Sequence, residues 1–224
     1  MHKKSMTKIY NLNKKTIAWN NNLYFCLFSY HYNIQQNVNF VELPKDEYPY
    51  EIPLNWKITN IQNVCNLYTG NSISETIKKS KYTNLKEGYN YIGTKDVEFN
   101  HKINYENGVR IPFEEEKFVY SYPNSTLLCI EGGSAGRKIA ITEEKICFGN
   151  KLCTFNPIGI NHKFLYYYLQ SPQFLTSFKN NLSGIITGVS LNKIKELDFV
   201  IPPIEEQQRI VETLDRLLPL CEAL

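Results

Sequence analysis

Lysine, arginine and amide side chains collect in three polar stretches of this chain, Lys78–Lys81, Lys95–Arg110 and Arg137–Lys151. These residue types do recognition chemistry. Ammonium and guanidinium groups neutralise phosphate oxygens, and Asn or Gln can hold adenine through two hydrogen bonds in the major groove. Tyr82, Tyr89, Tyr91 and Tyr105 interleave with them and add aromatic faces. The candidate DNA contacts picked out on this chemistry are Lys78, Lys79, Lys81, Lys95, Asn100, Lys102, Arg110, Ser134, Arg137, Lys138, Asn150 and Lys151. The alternative is a solvated surface on an Asn- and Lys-rich chain, and the residues alone leave both readings open.

Bond-making chemistry finds less support. The Gly-rich loop Glu131–Lys138 has the wrong spacing for a phosphate-binding P-loop, and Ile139 stands where Ser or Thr would hold Mg²⁺. A strand-like alternation follows it, whereas a phosphate cradle needs a helix amino end. The loop is therefore either a tight turn between strands or a turn whose Ser134, Arg137 and Lys138 touch a nucleic-acid backbone. Ile201–Ile204 (IPPI) lacks the polar and aromatic residues that flank Pro-Pro in amino-methyltransferases, and no cofactor loop accompanies it. Glu114–Lys117 (EEEK) has no second carboxylate at nuclease-like spacing and reads as a solvated turn. His2, His31, His101 and His162 are scattered without a nucleophile or acid partner. Cys26, Cys65, Cys129, Cys147, Cys153 and Cys221 form no CxxC pair, and several lie in apolar runs. They read as reduced thiols of a cytoplasmic protein, with no metal site, no cofactor and no catalytic residue expected.

The elements that must position these residues follow from patterning. The 224 residues are 42% hydrophobic and 21% charged, ordinary for a folded protein with a proper core. Sixteen Tyr and twelve Phe tilt the chain toward β structure. The formal charge of +3 fits nucleic-acid binding only weakly. No apolar run reaches bilayer length, and the basic start leads to no cleavage signal. Residues 1–47, with one aromatic patch at Leu23–Tyr32, lack a clear period and read as an N-terminal appendage of uncertain order. Strands are expected at Lys57–Ile61, within Tyr89–Phe99, and at Thr126–Ile130 and Lys138–Thr142. Lys145–Pro157 reads as one strand or a bent pair turning at Gly149-Asn150. Ser74, Asn161, Ser171 and Ser190 are placed to cap helices, with Pro172 at a first helical position. Strands early and helices late imply the α+β class, a strand-rich twisted-sheet domain with a few short helices plus a C-terminal helix.

That last helix follows the apolar strand and Pro202-Pro203. Ile210, Leu214, Leu217, Cys221 and Leu224 recur at alternating steps of four and three, the spacing of a coiled-coil seam. The other reading is an amphipathic helix packed on its own domain. The pattern reaches Leu224 with no capping glycine, so a continuation is expected. Pro219 should kink or break the helix, because it removes one backbone bond and crowds the Asp215 carbonyl.

Several stretches together resemble a target recognition domain from the specificity subunit of type I restriction–modification systems. YPYEIPLNWKITNIQNV is similar to that family's opening, in which Pro-x-x-Trp precedes the first strand. CNLYTGNSIS, YNYIGTKDV, EGGSAGRKIAI and GNKLCTFNP resemble its next landmarks in order. SGIITGVSLNKIKELDFVIPPIEEQQRIV is the most specific of them: a Gly-hydroxyl loop, a strand ending in Ile-Pro-Pro, then Glu-Gln and Arg-Ile-Val.

The resemblance covers about residues 48–224. It implies a target recognition domain over 48–203, the start of a spacer helix over 204–224, and a non-catalytic role. It further implies that the module reads one half of a two-part site on double-stranded DNA and docks a modification subunit, which a restriction subunit joins for cleavage. The alternative is an assembly fragment that docks partners without reading DNA alone. Where a complete subunit has two recognition domains this chain has one, which fits either a half-subunit that pairs with a second copy through the C-terminal helix or a fragment of a longer gene.

Overall fold

The computed structural model describes residues 41–183 and 187–222. Residues 1–40, including the Leu23–Tyr32 patch and Cys26, lie outside them, as does Leu224. The strands in chain order are β1 (Lys57–Asn60), β2 (Cys65–Thr69), β3 (Tyr89–Ile92), β4 (Arg110–Ile111) and β5 (Tyr120–Ser121). There follow β6 (Thr126–Cys129), β7 (Ile139–Ile141), β8 (Ile146–Phe148), β9 (Leu152–Pro157) and β10 (Asp198–Ile201). The helices are α1 (Glu75–Ile77), which continues as a π-turn over Lys78–Tyr82, then α2 (His162–Tyr168), α3 (Pro172–Asn180), α4 (Leu191–Lys195) and α5 (Ile204–Glu222).

Local chemistry starts the helices where the sequence places them. Ser74 accepts from the Ile77 amide, Asn161 from Lys163 and Phe164, Ser171 from Phe174 and Ser190 from Lys193. Each hydroxyl or amide oxygen satisfies a donor that the first helical turn leaves unpaired.

Three sheets share the strands. One has the order β2-β9-β6-β7 and is antiparallel; the second runs β4-β3-β8-β5, with β3 and β8 parallel; β1 and β10 form an antiparallel pair. Alternation along the strands decides the layers. Leu67, Leu128, Ile139, Cys153 and Phe155 turn one face of the first sheet toward Phe164, Leu165, Phe174 and Phe178 of α2 and α3. Leu127, Cys129, Ala140 and Leu152 turn the other face toward Ile92, Ile146 and Phe148 of the second sheet. A hydroxyl pair, Ser121 Oγ and Thr154 Oγ1 at 2.7 Å, satisfies two polar groups buried with this layer. Phe199 of β10 lies 4.4 Å, centroid to centroid, from Tyr168 and anchors the closing strand to α2.

The β1–β10 pair brings the entry of the domain beside its exit, with Lys57 opposite Ile201 and Asn60 opposite Asp198. Residues 41–47, grouped on sequence with the N-terminal segment, run alongside: the Leu43 amide donates to the Ile58 carbonyl at 2.9 Å, and Leu43 packs on the core.

Of the two readings of Lys145–Pro157 the pair is realised, as strands β8 and β9. The Gly149–Lys151 turn hands the chain from β8 in the second sheet to β9 in the first. Helix α5 does not break at Pro219 and remains helical to Glu222. Proline forfeits one backbone bond there, and the turns on either side retain theirs. Cys65, Cys129, Cys147 and Cys153 are buried, while Cys221 is exposed. Burial pushes the Cys147 thiol up to about 12. Among the described residues no helix is long and apolar enough to cross a membrane.

Candidate nucleic-acid interface

Two loops that are remote in sequence meet at the cationic surface. The first is the excursion between β3 and β4. It opens with a turn in which the Asp96 amide donates to the Gly93 carbonyl at 3.0 Å and the buried Asp96 carboxylate accepts from the Gly93 amide at 2.8 Å. Val97 bridges Ile103, and the Glu98 amide donates to the Lys102 carbonyl. The tip turns through Phe99 and Asn100, with His101 at φ 66° in the left-handed region. Asn100 braces it from within, donating to Glu98 and accepting from the Lys102 amide. The tip is thus a closed hairpin held by its own hydrogen bonds.

The second loop is the Gly-rich turn between β6 and β7. Gly136 donates to the Cys129 carbonyl at 2.8 Å, Arg137 to Ser134 at 3.0 Å and Gly132 to Thr187 at 2.8 Å. A strand, β7, follows it, as the alternation in the sequence implies. Gly132 and Gly133 face open space.

Side chains join the loops. The Lys138 ammonium donates to the Thr94 carbonyl at 2.9 Å. The Arg137 guanidinium lies 5.0 Å, and the Lys138 ammonium 5.1 Å, from the Phe99 ring centroid. These contacts join the hairpin that carries Lys95, Asn100 and Lys102 to the loop that carries Ser134, Arg137 and Lys138. Lys151 stands at the foot of the Gly-rich loop, 3.4 Å from the Glu131 carboxylate, and Asn150 beside it is exposed. Lys78 pairs with Glu75 at 2.5 Å and, with Lys95, Tyr91 and Thr94, borders a cavity of about 220 Å³. Burial raises the Tyr91 phenol to about 12, so it stays protonated and donates to the Asn71 carbonyl. Lys79 and Lys81 are exposed on the adjoining π-turn. Among the described residues Lys79, Lys81, Lys95, Lys102 and Arg137 are in no ion pair, which leaves their charges available for phosphate. Arg110 is engaged differently: on β4 its guanidinium donates to the Lys86 carbonyl at 2.7 Å.

Two features went unread in the sequence. One is Phe99, an exposed aromatic at a polar tip, whose only sequence signal is an apolar residue alone within EFNHK. The other is Lys145, whose ammonium sits 3.9 Å from the Tyr120 ring centroid and 4.4 Å from that of Tyr89. It joins residues that only the pairing of β5 and β3 with β8 brings together.

The helical seam divides along α5. Val211 is buried and Ile210 packs on the core, so the first turns lie against their own domain. Leu214 is half-buried, Leu217 and Cys221 are exposed, and Leu218 and Leu220 add to the outward apolar surface. Asp215 accepts from Lys163 at 2.6 Å and from the Tyr167 hydroxyl at 2.5 Å, tying α5 to α2 midway. Burial raises this carboxyl, but the two donors outweigh it and leave it below the usual range.

The chain is thus a layered α+β module with two joined loops that carry Lys95, Lys102, Arg137 and Lys138, and a helix leading out of it. Residues 53–223 match the sequence model of the type I restriction modification DNA specificity domain, and the chain belongs to that family. It is similar to the specificity subunit of the type I restriction enzyme EcoAI from Escherichia coli, 21% identical over 209 residues, 82% of this chain and 31% of that protein. The HsdS subunit from Thermoanaerobacter tengcongensis superposes with a TM-score of 0.61 at 17% identity, over 98% of this chain and 48% of that one. A chain from a structure concerned with complex assembly and conformational transition of the type I R-M system gives 0.62 at 16% identity, over 98% of this chain and 52% of that one. The S subunit from M. genitalium gives 0.51 at 20% identity, over 74% and 40%. The chain therefore spans about a third of the curated relative and about half of these solved chains.

Proposed function

We propose that this chain is a sequence-specific DNA-binding specificity module of a type I restriction–modification system. It reads one half of a bipartite site on double-stranded DNA and directs a modification and a restriction subunit to it in the cytoplasm, with no catalytic step of its own. Residues 48–203 are the reading domain and α5 begins the spacer. Beyond family membership, the observation that supports this reading is the hydrogen bond from Lys138 to the Thr94 carbonyl, which joins the β3–β4 hairpin to the Gly-rich loop.

Binding is tested by selection from randomised duplexes, with the modification subunit present, followed by affinity measurements at several salt concentrations. The wild type should select one short sequence, and its affinity should fall steeply with salt, the log–log slope growing by ~0.9 per phosphate contact. Lys95→Ala and Lys102→Ala should each reduce that slope by about 1 and leave the selected sequence unchanged. Salt-insensitive or absent duplex binding would overturn the proposal.

The outward apolar half of α5 is read as the docking face for a second copy or the modification subunit. Its support is the exposure of Leu217, Leu218 and Leu220 on a helix whose other half is already covered. Sedimentation of Leu217→Glu/Leu220→Glu should show weakened association with these partners; unchanged association counts against the assignment.

A further inference from the structure

Phe99 is a large apolar side chain exposed at the candidate interface. It is 55% exposed, with Glu98, Asn100, His101 and Lys102 as its chain neighbours. Its backbone is fixed by the closed hairpin described above, so the ring is presented from a preorganised tip. Two cations of the neighbouring loop lie over the ring: Arg137, which is in no ion pair among the described residues, and Lys138, whose ammonium retains donors beyond the one given to Thr94. An apolar ring in water beside two cations complements a ligand that is apolar at one point and anionic next to it. A base between sugar-phosphate strands has that pattern, and exposed phenyl rings meet duplex DNA through thymine methyl groups or as wedges at a base step.

We infer that Phe99 is a base-contacting, specificity-determining residue of the duplex DNA site, with Arg137 and Lys138 as the phosphate contacts that seat it. The inference rests on the proposed function and adds to it a division of labour: the ring reads and the two cations position. A purely structural ring would act differently. Its role would be to hold Arg137 and Lys138 in place, and its loss would register in the salt dependence in place of the base preference.

The test uses the full chain and the duplex selected by the wild type. Affinity is measured for that duplex and for each single base-pair substitution, at several salt concentrations, with wild type, Phe99→Ala and Arg137→Ala. Because Phe99 is exposed, Phe99→Ala should melt with the wild type, and a melting curve on each protein verifies this. Phe99→Ala should bind the selected duplex about tenfold more weakly, lose discrimination at one or two adjacent positions and keep the wild-type salt slope. Arg137→Ala should lower the slope by about 1 and keep the discrimination profile. A Phe99→Ala protein with the wild-type base profile, or with a changed slope and an intact profile, overturns the inference while the proposed function stands. A wild-type chain that selects no duplex overturns both.

Discussion

Gly70→Ala is expected to lower the melting temperature by about 6–12 °C, the equivalent of about 3 kcal/mol for a domain of this size. A Cβ added at Gly70 would lie 1.9 Å from the Phe148 carbonyl oxygen and 2.4 Å from its carbon. Both atoms are backbone, so no rotamer change relieves the overlap. Phe148 is itself fully buried between the sheets, and its carbonyl accepts from the Asn71 amide at 2.9 Å. Relief requires β2 and β8 to move apart, which opens the inter-sheet core. Gly133→Ala is the control: a Cβ there meets nothing within 4 Å, and its melting temperature should stay near the wild type. Thermal denaturation followed by circular dichroism checks both, and a Gly70→Ala chain as stable as wild type would refute the close approach of the strands.

Gln207→Leu is expected to destabilise the domain by about 2–4 kcal/mol and to loosen the root of α5. Gln207 is 2% exposed and uses both ends of its amide. Its oxygen accepts from the Asn161 backbone amide at 2.9 Å, and its nitrogen donates to the Pro202 carbonyl at 2.9 Å. Leucine fills a similar volume but leaves that donor and that acceptor buried without partners, each costing about 1–3 kcal/mol. Asn161 caps α2 and Pro202 ends the β10 segment, so this one side chain fixes the direction in which the helix leaves the domain. Gln208→Ala removes the exposed neighbour that bonds Asn161 Nδ2 and Glu212, and should cost under about 0.5 kcal/mol. Chemical denaturation measures the stabilities, and amide exchange over Ile204–Leu214 measures the loosening. Wild-type values in both would show that Gln207 is no clamp.

The clamp explains a landmark that the sequence presents only as a pattern. In IPPIEEQQRIV the Glu-Gln pair sits where a helix begins, and Glu205 and Glu206 suit the positive end of its dipole. Nothing in the string says that Gln207 turns inward, because its partners Asn161 and Pro202 come from a different helix and from the preceding turn. The seam has the same limitation. Spacing at fours and threes describes Ile210 and Leu217 equally, yet Ile210 packs on the core while Leu217 stays exposed.

What the sequence by itself determined is what local chemistry dictates. Ser74, Asn161, Ser171 and Ser190 each cap the helix that follows, since the cap and the amide that donates to it lie within three residues. The α+β class and the strand positions follow from alternation and from turn residues, and the family landmarks stand in order along the string. The tertiary structure alone decided which strand joins which sheet, for Tyr91 pairs with Cys147 while β9, one turn later, pairs with β2 and β6. It also carried α5 unbroken past Pro219 and set Phe99 beside Arg137 and Lys138. The reason is physical: caps and turns are settled by neighbours in the chain, whereas sheet partners and loop convergence depend on burying apolar faces from remote segments against one another. The basic residues were visible as three clusters, and folding is what brings the β3–β4 hairpin and the Gly-rich loop to one surface.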